Sequence, residues 1–404
     1  MAAPKVYSID KHRIPPNKLD KHAFYVIEKL RTSGFISFLV GGSVRDLLLN
    51  VRPKDFDIST SAKPEDIKQI FKRNCILIGK RFRLAHIRFG KKVIEVSTFR
   101  AADTNEKAQL ITRDNIFGTP QEDVIRRDFT INGLFYDPEV ETLIDYVGGY
   151  DDIEKKILRA IGDPELRFIQ DPVRMIRLIK FKARFKDFEI EKKTLHALGK
   201  CKEEIIKSSS ARIFEELVRM LESGSSRSFF ILLNEHNLLH LLSAKLSEFI
   251  ENEKQILDLL NLIDEILANR LKDEIERPVL IASLLFNVLE KRLIQDYVSK
   301  NKLLHLGIIF NECRDLLDDV FLPFFKISRK LKAQLISILC NQFRIFPLIK
   351  PKNRKIKIPY DPFFYLSLQF FELRTMLNPQ LNTIFNIWND KFIQIKRPKQ
   401  FRKD

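Results

Sequence analysis

The chain has 404 residues, 45% of them hydrophobic and 30% charged. That is enough apolar sequence for several packed units at about 100–200 residues per domain, and it excludes wholesale disorder, a collagen-like repeat and a low-complexity chain. Lys and Arg outnumber Asp and Glu by 70 to 53, a net charge of +17, so the composition favours polyanionic partners, either nucleic acid or an anionic membrane surface.

In chain order, the opening MAAPKVYSIDKHRIPPNK has no apolar core and no cleavage-like site, so the sequence predicts no secretory leader. From Phe35 to about Tyr146, short β-rich runs alternate with turn residues. FISFLV (35–40), FDIST (56–60), LAHIRF (84–89) and VIEVSTF (93–99) read as strands because Val, Ile, Phe and Thr suit a pleated, half-buried surface. Between them, Lys63 to Arg73 carries helical spacing after a Pro-Glu-Asp start. The polar stretch Ala101–Gln109 reads as a mobile loop.

After about Asp151 the strand signals stop. Segments 171–184, 211–223, 228–241, 255–269, 278–299, 303–317 and 329–341 place Leu, Ile and Phe at i, i+3, i+4 and predict an all-helical body. No fixed-period repeat is present, which argues against a solenoid. KPKNRKIKIP (350–359) is a basic break before a helical, aromatic-rich stretch at 363–377, and the end from Lys391 is expected to fray.

Residues 350–404 hold twelve Lys/Arg against four Asp/Glu, so nearly half of the charge excess belongs to one module. It reads either as an RNA-holding surface or as a solubility-giving tail. No run reaches the ~18 apolar residues of a membrane span. Cys75, Cys201, Cys313 and Cys340 stand far apart without a C-x-x-C pair, a pattern that fits a reducing cytoplasm and neither a disulfide framework nor a zinc site.

The densest chemistry lies in FLVGGSVRDLLLNVRPKDFDIST (38–60). A strand runs into Gly41-Gly42 and a helical pattern opens at Ser43, so backbone N–H groups at a helix start can approach an anion, with the cation of Arg45 in the first turn. Asp55 and Asp57 follow at i and i+2, the spacing that puts two carboxylates on one face of a strand. Such a pair beside a phosphate cradle suits hard divalent cations such as Mg²⁺. D-x-D alone is common in turns; the double glycine, the Arg and the DFD together are the signal.

GGSVRDLLL…PKDFD resembles the head-domain signature of the polymerase-β-like nucleotidyltransferases, and more narrowly of the bacterial tRNA nucleotidyltransferase/poly(A) polymerase family. RRDFTING (126–133) is similar to the family's ribose- and triphosphate-contacting motif, and YVGGYDDIEKKILRAIGDP (146–164) to its head-to-neck hinge. QDPVRMIRLIKF (170–181) resembles its base-recognition helix, and ARIFEELVRML (211–221) the supporting neck helix.

The fold this implies is α+β: an N-terminal extension (1–34) and a small mixed α/β nucleotidyltransferase head (35–150), then an all-helical neck (151–240), a helical body (241–345) and a basic RNA-binding segment (346–404). The resemblance implies that Asp55 and Asp57 hold two Mg²⁺ ions and that Asp128 is a further catalytic acid. Glu95 in VIEVSTF is a candidate carboxylate near the metals, read either as a ligand or as an edge-strand Glu or a residue that braces the ligands. Gly42, Ser43, Arg45 and Arg127 would bind the nucleotide, and Asp171, Arg174 and Arg177 would select the base. The family usually has Glu before that Asp; Gln170 stands there in this chain.

Within the family, ILIGKRFRLAHIRFG (76–90) and TRDNIFGTPQEDVIRRDFTING (112–133) resemble the poly(A) polymerase versions. The expectation is therefore addition of AMP from ATP to single-stranded RNA 3′ ends in the cytoplasm, with no membrane partner. CCA addition to tRNA is the alternative, and an inactive RNA-binding relative a remote one. The aromatic run around Tyr360–Phe371 reads as core or as a base-stacking surface, while His236 and His240 lack a third metal ligand.

Overall fold

The computed structural model describes residues 3–79, 83–101, 116–269, 275–349 and 356–396. The loop expected at Ala101–Gln109 lies almost entirely outside them, as do residues 350–355 of the basic break expected at 350–359. The chain forms two compact units, Met1–Arg174 with Phe185–Cys201 and Met175–Arg184 with Lys202–Asp404.

The first unit is built on an eight-stranded sheet of β1 (Lys5–Tyr7), β2 (Ser37–Val40), β3 (Asp57–Thr60), β4 (Cys75–Ile78), β5 (Leu84–Phe89), β6 (Lys92–Thr98), β7 (Leu134–Asp137) and β8 (Thr142–Asp145), in the order β1-β8-β7-β2-β3-β6-β5-β4. Only β3 and β6 pair in parallel; the other neighbours are antiparallel. A parallel pair needs a crossover, here supplied by the Pro64–Phe71 helix with β4 and β5.

The Lys21–Thr32 helix starts where the Asp20 carboxylate accepts from the N–H groups of His22 and Ala23, satisfying orphan donors of the first turn. It buries Ala23, Val26, Ile27 and Leu30, an i, i+3, i+4, i+7 stripe, against β2 and β3. Val40, Phe99, Val124, Phe135 and Ile161 form one buried apolar cluster.

The first 34 residues, read from the sequence as an extension, supply both this helix and the edge strand β1, which pairs with β8 from Lys5↔Asp145 to Tyr7↔Leu143. Three residues carry too little periodicity to be read as a strand. Strands also persist beyond Asp151: β9 (Ile157–Leu158) and β10 (Glu189–Ile190) pair in parallel.

The second unit is helical. The expected 228–241 helix is two, Ser226–Glu235 and Leu238–Leu242, because Asn237 takes a left-handed φ of 60° between them. The expected 278–299 helix divides into Arg277–Ala282, Phe286–Leu293 and a π turn at Ile294–Val298. The Phe364–Leu377 helix buries Phe364, Phe370 and Phe371 completely, so most of the aromatic run is core. Helix Asn382–Lys396 continues past Lys391, where fraying was expected. It is anchored by Trp388, buried with Phe364 and Phe371, a contact from distant sequence that local pattern does not reveal.

Candidate active site

Strand β2 ends at Val40, and the next residue, Gly41, has a φ of +68° that favours glycine; a Cβ there would also lie 3.3 Å from the Arg127 guanidinium. Gly42 opens the Gly42–Leu48 helix, and the buried Ser43 hydroxyl donates to the Val40 carbonyl (2.9 Å), closing the turn. Arg45 is buried as well. It donates to Asp46 Oδ1 from Nε (3.0 Å) and Nη2 (2.7 Å), and to Asn132 Oδ1 from Nη1 (2.6 Å). Its guanidinium carbon lies 5.2 Å from the Phe185 ring centroid. Ser43 and Arg45 are thus tied to the glycine turn and its helix, and the Arg127 guanidinium lies beside Gly41.

Asp57 is the first residue of β3 and Asp55 precedes the strand, so the two are not the in-strand pair that their spacing suggested. The third carboxylate comes from the neighbouring strand: Glu95 is directly opposite Asp57 in the β3–β6 register, and cross-strand partners share a face of the sheet. Burial first, then the charges of Glu95 and Asp55, push the Asp57 carboxyl up to about 6, with Arg127 opposing. His86, opposite Glu95 on β5, places Nε2 3.3 Å from Glu95 Oε2.

Among the described residues no three His, Cys, Asp or Glu side chains converge tightly enough to hold a metal ion by themselves. Magnesium is commonly held by one or two carboxylates completed by substrate phosphates. A half-buried Asp57 whose ionised form is disfavoured by two neighbouring carboxylates is the environment a hard cation offsets, so the residues present fit such an ion.

Arg127 is held by Asp123, a fully buried carboxylate that sequence reasoning missed. Asp123 accepts from Arg126 (2.9 and 2.8 Å) and from Arg127 (3.3 and 2.8 Å). Burial alone would raise its pKa, but Arg127 and Arg126 outweigh that and hold it below the ordinary carboxylate value. The signal was available: in EDVIRRD, Asp123 stands three and four residues before the two arginines, the helical spacing for ion pairs. Arg127 also donates to Ser59 Oγ on β3 (3.2 Å). Asp128 Oδ1 accepts from the Phe129 N–H (2.8 Å) and from Asn132 Nδ2 (3.0 Å). A chain Asp46–Arg45–Asn132–Asp128 therefore fixes the catalytic-acid candidate to the glycine-turn helix.

The short Pro120–Ile125 helix ends with carbonyls that need donors. Arg167 supplies them to Ile125 (3.2 Å) and Arg127 (3.0 Å), and Arg174 to Arg126 (3.0 Å) and to Arg167 itself (3.3 Å). Burial, then the charge of Arg174, pushes Arg167 down to about 9, with Asp128 and Asp171 opposing. Gln170 Oε1 accepts from Arg167 (3.3 Å). Asp171 is joined to the start of the Val173–Arg184 helix, its carbonyl accepting from the Arg174 N–H (3.0 Å). Arg177 belongs to the second unit, where it and Lys180 bind the buried Glu216 of the Ser210–Leu221 helix at 3.0 and 2.8 Å.

The first unit thus brings Gly42, Ser43, Arg45, Asp55, Asp57, Arg127 and Asp128 into one connected set around the β2 turn, with Asp171 and Arg174 joined to it through Arg167 and Arg126.

Residues 37–159 match the family model of the "Poly A polymerase head domain", and residues 187–248 the model of the "Probable RNA and SrmB- binding site of polymerase A". The chain is 32% identical over 396 residues to a "Poly(A) polymerase I" of Salmonella typhi, covering 94% of this chain and 84% of that protein. It is 40% identical over 274 residues to one of Haemophilus influenzae, an alignment spanning 64% of this chain and 60% of that one. Among solved structures, the Bacillus stearothermophilus CCA-adding enzyme in complex with CTP superposes with a TM-score of 0.62 at 24% identity, over 94% of this chain and 83% of that one, a likeness of fold.

Proposed function

The chain belongs to the tRNA nucleotidyltransferase/poly(A) polymerase family, and from that premise we propose that it is a template-independent poly(A) polymerase, adding AMP from ATP to RNA 3′ ends with release of pyrophosphate. The observation that carries the chemistry is the meeting of Asp57, Glu95 and Asp55 beside Arg127 and the Gly41 turn.

Asp55 and Asp57 would hold Mg²⁺, with Glu95 as a third ligand or as the brace of Asp57. The ions, when bound, would lower the pKa of the attacking 3′-hydroxyl and neutralise charge on the triphosphate. Arg127, held rigid by Asp123 and Ser59, presents a cation to the phosphates without reorganising. Gly41 keeps side-chain bulk out of their path. Asp128, oriented by Asn132, stands on the ribose side as a further acid. Asp171 and Arg174 supply an acceptor and a planar donor fork that can read a Watson–Crick edge, with Arg177 assigned to base selection on the family motif alone.

Adenylation rather than CCA addition is supported by the extent of the likeness to Salmonella poly(A) polymerase I, by the motifs at 76–90 and 112–133, and by the net +8 charge of residues 350–404. An enzyme that tails arbitrary single strands needs charge more than shape. We place it in the cytoplasm; among the described residues no helix is long and apolar enough to cross a membrane. We also carry the finer division at residues 34, 150, 240 and 345 as a proposal.

The test is nucleotide addition with Mg²⁺ on an unstructured RNA and on a tRNA lacking its 3′ end, with ATP, CTP or both. Long ladders from ATP alone on the unstructured RNA are expected. Addition stopping after three nucleotides, only on tRNA and only with both triphosphates, would make it a CCA enzyme; no extension at all would leave an RNA-binding relative.

A further inference from the structure

Cys313 and Cys340 are 27 residues apart in sequence, yet their sulfurs approach to 3.4 Å. The spacing argued against any pairing. The Leu306–Phe321 and Arg329–Ile345 helices carry one cysteine each and pack along one another, which is what brings the thiols together. Cys313 is completely buried. Cys340 is partly exposed and lines an open cavity of about 550 Å³, with Leu306, Phe310, Ile336 and Arg344 among its walls. The cavity therefore reaches Cys340, and the buried Cys313 sulfur lies against the Cys340 sulfur.

We propose that Cys340 and Cys313 form a peroxide-reactive dithiol that closes into a disulfide between these two helices. Sulfurs in a disulfide are about 2.05 Å apart, so closure draws the two atoms together by less than the width of an atom. Cys340, reached through the cavity, attacks the peroxide O–O bond as thiolate. An S–O bond forms, giving the sulfenic acid, and the departing oxygen leaves as water or alcohol after taking a proton. The Cys313 sulfur then attacks the sulfenic sulfur; the S–S bond forms, the S–O bond breaks, and hydroxide leaves with the Cys313 proton as water. Two thiols are oxidised by two electrons and one hydroperoxide is reduced.

The order of the steps follows from the two environments. The hydrogen bond to Cys340 and burial raise the Cys313 thiol well above its ordinary value, so Cys313 stays protonated and resolves rather than initiates. Cys75 and Cys201, both buried, serve as internal controls.

The experiment uses the full chain, reduced, desalted and titrated with hydrogen peroxide. Denatured thiol counts should fall from four to two, intact mass should drop by about 2 Da, and a non-reducing digest should yield the linked Cys313 and Cys340 peptides, separated again by dithiothreitol. Cys313→Ser should instead accumulate a Cys340 sulfenic acid that dimedone traps, and Cys340→Ser should leave Cys313 unmodified. The proposal is overturned if the wild-type chain keeps all four thiols at peroxide concentrations that modify Cys340 in Cys313→Ser. It is equally overturned if Cys340 gains oxygen in the wild type without a crosslink, or if neither cysteine reacts.

Discussion

Glu95 stands directly opposite Asp57 across the β3–β6 ladder, so the parallel pairing of β3 with β6 is also where two carboxylates share a face. The repulsion shows in Asp57, whose pKa is pushed up to about 6 by burial, Glu95 and Asp55.

Asp57→Asn should reduce nucleotide addition by at least about 10³-fold and at the same time stabilise the metal-free protein. A carboxyl whose folded pKa lies above its unfolded value destabilises the fold once ionised. The cost is absent below pH 3.8 and complete above about 6, where a shift of this size corresponds to roughly 3 kcal/mol at most. Melting at pH 8 in EDTA should therefore give a higher Tm for the variant, and Mg²⁺ should raise the Tm of the wild type more than that of the variant. Glu95→Gln should lose about 10–100-fold if Glu95 only braces Asp57. A larger loss would make it a ligand.

Asp123→Asn removes the buried anchor of Arg126 and Arg127. Leaving the partners of a buried pair uncompensated costs about 3–5 kcal/mol, discounted here because both arginines are about one-fifth exposed. The folded-state pKa of Asp123 is depressed, so its stabilisation is present above pH 3.8 and is lost as pH falls through that lower folded value. Urea midpoints of wild type and variant should differ at pH 7 and converge in strong acid; KM for ATP should rise in the variant. Equal midpoints at pH 7 would mean the clamp is not structural.

Gln170→Glu restores the residue the family usually carries. Arg167, pushed down to about 9 by burial and Arg174, donates to Gln170 at 3.3 Å. A charged acceptor should stabilise the head by about 1 kcal/mol, read as a higher Tm at pH 8. No gain would mean that Asp128 and Asp171 already balance this arginine group.

Truncation after Lys396 leaves the Trp388-anchored helix whole and removes Arg397, Lys399, Arg402 and Lys403. If these contact phosphates, the slope of log K against log[salt] for single-stranded RNA should flatten by up to about 3, with little change in Tm. An unchanged slope would reduce the segment to a solubility feature.

Much of the head was legible because its strands repeat β-formers at period two and because GGSVRD, DFD and RRDFTIN are contiguous. What escaped was set by tertiary contact. β1 is too short to have a period. Local sequence places Arg45 in the first turn after the glycines but does not show that Asn132, 87 residues away, accepts from it. Asp55 and Asp57 read as an in-strand pair, yet the strand begins at Asp57 and the neighbouring carboxylate comes from β6. The cysteines looked remote because spacing along the chain says nothing of two helices packed side by side.

The pairing of β1 with β8 has a consequence for how the protein is made. Lys5–Tyr7 leave the ribosome long before Leu143–Asp145, the residues they pair with in the sheet. Of the eight strands in this sheet, β1 is therefore docked after the other seven have been translated. Until then β8 cannot be covered on its outer edge, and the nascent head carries an open ladder of backbone donors and acceptors. Because domains fold from the N-terminus onward during translation, the rate at which residues 5–7 find that edge sets how long a partly built head is open to pairing with its neighbours on the same polysome.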